Sequence, residues 1–350
     1  MYMDPLARRG AQDFARSVIV RALTCHPEEA VALAESRFGR GSEAARLVKA
    51  GVAGATPDGY GGELVQPGAL EFVESWRPQT IIGRAGLRRV PADVPVVAQT
   101  GTAVAFWSAA GRATPLSAAA FDRERLRPLR VSALVVTSEE LLRSSEAEDV
   151  LTDDLAAAGV EAQDRAFVDP ANVGIAGEMP PSVTHDAPAV ASTGDLADDL
   201  AAASEVFEGR WSRTVLVMHP TTALQIALAA DGLGLAAMLG PRGGELATIP
   251  VICSEAVPWD STGGLLTLLD TSGVVYSDAG GEVSRSSVGA VEMADNPTGH
   301  AGTPTGATTL VPLWQTESVG LMVTSRVAWL KARPGSVVCI TGANYGRVSS

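Results

Sequence analysis

Residues 126–183 read LRPLRVSALVVTSEELLRSSEAEDVLTDDLAAAGVEAQDRAFVDPANVGIAGEMPPSV, and this stretch decides the architecture. Val131, Ala133 and Val135 alternate with Arg130 and Ser132, the period of a half-buried strand. Thr137 and Glu140 have the spacing of a capping box, whose hydroxyl and carboxylate satisfy N–H groups where a helix starts. Leu141 and Leu142 give that short helix its apolar contact. A longer helix follows, with Leu151, Leu155, Ala158, Ala162 and Ala166 at helical spacing. Glu146, Glu148, Asp149, Asp153 and Asp154 load its first turns and Arg165 lies near its end, which suits the helix dipole. Gly159 in its middle costs about 1 kcal/mol against Ala and marks a bend or a close approach to another subunit. A Gly/Pro loop closes the stretch, and no catalytic cluster interrupts it.

Working outward, further segments stand in a fixed order. Gly61-Gly62-Glu63-Leu64-Val65-Gln66-Pro67 and Ala105-Phe106-Trp107-Ser108 come before the stretch. Val215-Leu216-Val217-Met218-His219-Pro220-Thr221-Thr222, then Ile249-Pro250-Val251 and Ala256-Val257-Pro258, come after it. Taken with TSEELL, the Ala-rich helix ending AQDRAF, and NVGI, this ordered set resembles the major capsid proteins of tailed bacteriophages. The likeness runs from about Gly61 to Arg333. His219 departs from it, standing where such proteins carry Asn, as does Thr248-Ile249 before Pro250.

The resemblance implies an α+β, Hong Kong 97-like capsid fold. It divides the chain into a helical N-terminal segment and linker (1–60), an N-terminal arm (61–105) and an extended two-stranded loop (106–130). A peripheral domain with a long spine helix (131–190), an axial domain (191–306) and strands returning to the peripheral domain (307–350) complete it. It also implies a subunit that self-assembles as pentamers and hexamers into an icosahedral shell in the host cytoplasm and resides in the virion. The shell would enclose double-stranded DNA held weakly, with portal, scaffold and decoration proteins as candidate partners. Some relatives join subunits by a Lys–Asn isopeptide bond from the extended loop. This chain has only Lys49 and Lys331, neither in that loop. Arg112 is there instead, and a guanidinium stays protonated and is a poor nucleophile, so no cross-linking is expected.

Composition agrees with this class. A chain of 350 residues can bury one or two cores. No run of ~18 apolar residues exists, and the N-terminus carries no secretory apolar segment. Cys25, Cys253 and Cys339 are far apart, which argues against a disulfide scaffold and a zinc site. The net charge of −13 argues against tight nonspecific nucleic-acid binding. No cofactor, metal or catalytic residue is expected. The four histidines lack metal-ligand spacing, Cys25-His26 cannot face each other on a helix, and His185-Asp186 has no nucleophile elbow beside it.

Along the rest of the chain, Phe14, Val18 and Leu23 form one helical stripe and Ala30, Leu33, Ala34, Phe38 and Leu47 another, separated at Pro27. This segment is expected to remain on the chain as an arm. Pro67, Pro78, Pro91 and Pro95 suggest that 63–105 runs extended. Asp195 caps a helix presenting Leu196, Leu200, Ala203 and Phe207. Pro220 opens another, with Leu224, Ala227 and Leu228 completing its face. Strands are predicted at 215–218, 249–254, 264–269, 273–276, 308–313 and 317–329. Trp107, Trp211, Trp259, Trp314 and Trp329 sit in or beside apolar runs and are expected in the core. Subunit-interface candidates are Trp76, Trp107, Arg112, Arg123, Arg125, Gly159, Asp231 and Arg242. Two rivals remain open: a gene-transfer particle or encapsulin-like compartment shell of the same fold, and, more distantly, a soluble α+β hydrolase.

Overall fold

The structure is a computed structural model that describes residues 27–53, 77–99, 121–138, 147–230, 239–292 and 310–346, with positions 16, 17, 20 and 140 besides. In chain order the helices are α1 (Pro27–Phe38), α2 (Glu43–Ala53), α3 (Ile81–Ala85), α4 (Ala147–Val168), α5 (Leu196–Val206) and α6 (Pro220–Ala230). The first strands are β1 (Arg88–Arg89), β2 (Pro95–Gln99), β3 (Phe121–Arg125), β4 (Leu129–Ser138), β5 (Ala189–Ala191), β6 (Thr214–Met218), β7 (Leu239–Gly240) and β8 (Gly243–Leu246). Then follow β9 (Ile249–Cys253), β10 (Trp259–Asp260), β11 (Gly263–Asp270), β12 (Val274–Ser286), β13 (Ala290–Glu292), β14 (Leu310–Pro312), β15 (Ser318–Lys331) and β16 (Val337–Ala343).

Two sheets dominate. One has the order β1-β12-β15-β4, with β12, β15 and β4 antiparallel in long register. The other has the order β5-β16-β11-β6-β9-β8-β7, with β10 beside β11. Strand alternation gives the second sheet two apolar faces. Val215, Val217, Leu265, Leu269, Val337 and Cys339 point into a core shared with Val274, Tyr276, Val327 and Trp329 of the first sheet, α3 and the end of α4. Leu216, Met218, Leu266, Leu268, Val338 and Ile340 face the other way, onto Ala203 of α5, its C-cap Phe207, and Ala223 and Ile226 of α6. Consecutive residues thus feed different cores, which is why these strands read as continuous apolar runs.

Local chemistry sets the boundaries. Asp195 accepts hydrogen bonds from the Ala197 and Asp198 amides and caps α5. His219 accepts from the Thr221 amide through Nδ1, and Pro220 is the first residue of α6. Strand β12 bulges between Asp278 and Gly281, with Gly280 at φ +87°. The bulge holds Asp278 against the Arg77 guanidinium. Ala247 and Thr248 turn β8 into β9 at φ +50° and +66°, a left-handed geometry that side chains rarely adopt. Separately, α1 and α2 pack through Ala30, Ala34, Ala45 and Val48, and α1 opens on Pro27 as its sequence predicts.

The alternation of β4 and the polarity of α4 stand as expected, but four readings are corrected. Thr137 lies inside β4, paired with β15, and its buried hydroxyl finds no partner among the described residues, so it stands in a strand and not at a helix start. On α4, Ala158 and Ala162 are exposed, and Leu155, Gly159, Gln163, Asp164, Phe167 and Val168 form the buried face. On α6, Leu224 and Leu228 are exposed and Thr222, Ala223 and Ile226 are buried. The segment expected to run extended contains α3, whose Ile81 and Ile82 are fully buried. Gly83 permits this, because a Cβ there would lie 2.0 Å from the Arg77 carbonyl oxygen.

Candidate functional site

The C-terminal half of α4 is a junction where both sheets meet. Phe167 packs edge-on against Trp329, with ring centroids 5.3 Å apart. The Trp329 indole N–H donates to the Pro181 carbonyl at 2.7 Å, tying the loop after α4 to β15. One turn earlier Asp164 is fully buried. It accepts from the Ile81 amide at 2.7 Å and from the Ser254 hydroxyl at 2.8 Å. One carboxylate therefore joins α4, the first turn of α3, whose amides lack helical partners, and the segment after β9. Arg84 donates to the Cys253 carbonyl at 2.6 Å, and its Nε finds no partner among the described residues. Burial pushes the Asp164 carboxyl up to about 6, against the Ile81 and Ser254 hydrogen bonds and the Arg84 charge. Burial likewise lowers Arg84.

Among the described residues, the thiols and histidines stand apart from one another. Burial pushes the thiols of Cys253 and Cys339 up to about 11, so neither is a thiolate at neutral pH. His185 lies 3.3 Å from a largely exposed Asp186 carboxylate. His219 stacks on Trp259 at 5.7 Å, and burial lowers its pKa. Among the described residues no three His, Cys, Asp or Glu side chains gather as a metal site. No helix among them is long and apolar enough to cross a membrane.

The outer surface is more distinctive. Trp329 is buried as expected, but Trp211, Trp259 and Trp314 are exposed, Trp314 to 77%. Around the buried Leu313 stand exposed Leu310, Trp314 and Val288, with Leu134 and Val136 on the outer face of β4. The Leu313 and Leu134 side chains both lie over Gly320 of β15. At the other end of β15, a cavity of about 530 Å³ opens between the 173–181 loop and the start of β4, with Arg125 and Arg127 at its rim.

Of the interface candidates, Trp76, Trp107, Arg112 and Asp231 lie outside the described residues. Arg123 and Arg125 are on β3, in the hairpin β3 makes with β2, and Arg125 is exposed. Arg242 is exposed in the turn between β7 and β8. Gly159 is covered by its own chain. Asp164 and the exposed Trp314 were not singled out as functional in the sequence. The one local signal for Trp314 is its place between Pro312 and the polar run Gln315-Thr316-Glu317, which favours a turn.

Comparison with known proteins agrees with this architecture. The sequence model described as "Phage capsid family" matches residues 74–303. The "Capsid polyprotein" of Pseudomonas phage PAJU2 is 36% identical over 333 residues, covering 86% of this chain and 48% of the relative. The chain thus spans about half the length of that curated relative. Solved chains of Gordonia phage Cozz (15% identity, 75% of this chain and 85% of that chain, TM-score 0.51) and Mycobacterium phage Adephagia (16%, 75% and 89%, TM-score 0.51) share the fold. So does a chain from the capsid of a native GTA particle (16%, 73% and 88%, TM-score 0.50). This chain belongs to the phage capsid family, and its fold is the α+β fold of tailed-phage capsid chains.

Proposed function

We propose that this chain is a major capsid protein that self-assembles, as pentamers and hexamers, into an icosahedral head shell around double-stranded DNA in the virion. The observation that carries this is the family match over residues 74–303, which takes in α4 and most of both sheets. The junction at Asp164 supports it, because it makes one rigid tile of elements that are far apart in sequence. The exposed apolar side chains also fit, since surfaces built to be covered keep such groups outside. The role is structural, without catalysis, and the net charge of −13 suits a wall along which DNA slides rather than sticks. In this scheme Arg123, Arg125 and Arg242 contact neighbouring subunits, and β2 and β3 form the base of the extended loop.

Expression of the chain followed by negative-stain electron microscopy tests the proposal. Closed shells support it, and a uniformly monomeric protein overturns it. The fold shared with the GTA capsid keeps a gene-transfer particle as a second reading. Nucleic acid extracted from native particles separates the two: phage genomes of one sequence against mixed host fragments.

A further inference from the structure

Trp314 is held outward by design of its turn. The Leu313 amide donates to the Gly289 carbonyl at 2.9 Å, and the Ser318 amide donates to the Leu313 carbonyl at 3.0 Å. Thr316 Oγ1 reaches the Pro312 and Leu313 carbonyls at 3.1 and 3.2 Å. Glu317 closes the turn at φ +47°, a conformation unfavourable for a residue with a side chain. Strain and hydrogen bonds are thus spent on presenting the largest apolar side chain to solvent. Such preorganised aromatics are typical interface anchors, because their ordering cost is met before binding. Glu317 stands exposed beside it and forms no ion pair among the described residues.

The same subunit carries a complementary hollow. The cavity of about 530 Å³ is walled by Val173, Ile175, Met179 and Trp329, with Arg125 and Arg127 at the rim. Val173 is 65% exposed although apolar. Neither arginine forms an ion pair with a described residue, and both are exposed. The volume lies within the ~300–1,000 Å³ of pockets that take a drug-sized organic group, ample for one indole. Knob and hollow sit at opposite ends of β15, from Ser318 to Trp329, roughly 35 Å apart at ~3.3 Å per strand residue. A rigid subunit cannot fill its own hollow.

We propose that Trp314 of one copy docks into this cavity on a second copy, with Glu317 meeting Arg125 and Arg127. The inference rests on the assembly proposed above. The occupant follows from complementarity of shape and charge: a protruding apolar ring beside an acid, and an apolar hollow rimmed by two guanidinium groups that can also lie over the indole face. Knob and hollow are different surfaces, so the contact is head-to-tail, the kind that generates rings and extended arrays rather than closed pairs.

Four full-length variants test it: Trp314→Ala, Glu317→Arg, the pair Arg125→Glu with Arg127→Glu, and the combination of both charge reversals. All the altered side chains are exposed, so thermal melts should match the parent chain. The readout is the concentration at which half the protein is assembled, by analytical ultracentrifugation. The first three should each raise it at least tenfold, and the combination should return to within about threefold of the parent. Normal assembly by Trp314→Ala, or no rescue in the combination, overturns this contact and leaves the assembly proposal standing. A parent chain that stays monomeric at every concentration overturns both.

Discussion

Asp164→Asn isolates the junction electrostatically. The amide keeps the carboxylate's shape and can still serve the Ile81 amide and the Ser254 hydroxyl, but it does not titrate. Burial raises the Asp164 carboxyl from 3.8 to about 6 in the folded chain. The folded state therefore binds this proton more tightly than the unfolded state does. Its stabilising effect is full below pH ~4 and is lost as pH rises through 6. At ~1.4 kcal/mol per pH unit, the whole effect is about 3 kcal/mol, and roughly 2 kcal/mol of it falls between pH 4.5 and 7.5. The assay is urea unfolding of dissociated subunits followed by tryptophan fluorescence, on parent and variant at both pH values. Subtracting variant from parent cancels every other titrating group. The parent should gain about 2 kcal/mol over the variant on going from pH 7.5 to 4.5. A difference constant to within ~0.5 kcal/mol across that range would mean that Asp164 holds no raised pKa in the folded chain, and a gain at high pH would mean a lowered one.

Three further outcomes follow from the packing. Gly83→Ala should destabilise the fold by about 2–4 kcal/mol in the same urea assay, since its Cβ would collide with the Arg77 carbonyl oxygen. Replacing Ala247 and Thr248 by Asn and Gly should stabilise by about 1–2 kcal/mol, because both residues hold positive φ on an exposed turn; an unchanged urea midpoint would count against strain there. Mature particles boiled in SDS should run as single subunits without a covalent ladder. Lys331 is already committed to the His185 carbonyl at 3.1 Å, and the only other lysine is Lys49.

Much of the frame was legible because it obeys one-dimensional rules. The period-two pattern of β4, the Asp195 cap and Pro220 at the start of α6 all depend on neighbours in sequence. What failed depends on partners far away. The predicted stripe of α4 holds at Leu155 but drifts onto the exposed Ala158 and Ala162, because the true face includes Gln163 and Asp164. Those read as solvent-facing until Ile81 and Ser254, 83 and 90 residues distant, come to meet Asp164. Helix α3 is too short to show a period. Strand β16 is an apolar run with no alternation, since both its faces are covered. The tryptophans misled for a related reason: Trp314 follows the apolar run Leu310-Val311-Pro312-Leu313 much as Trp329 follows Val327-Ala328, and the polar turn Gln315-Thr316-Glu317 that comes next ejects it. Local composition records how apolar a residue is, and the cover it receives belongs to the whole assembly.

These side chains are proposed to build a tile, and many tiles to close into one shell. Cryo-electron microscopy of the purified chain is the most direct measurement. Closed particles with icosahedral symmetry are expected, in which Trp314 of every subunit is covered by a neighbour. Particles that never form at any concentration or ionic strength, or a lone monomer with Trp314 still in water, would contradict the proposal.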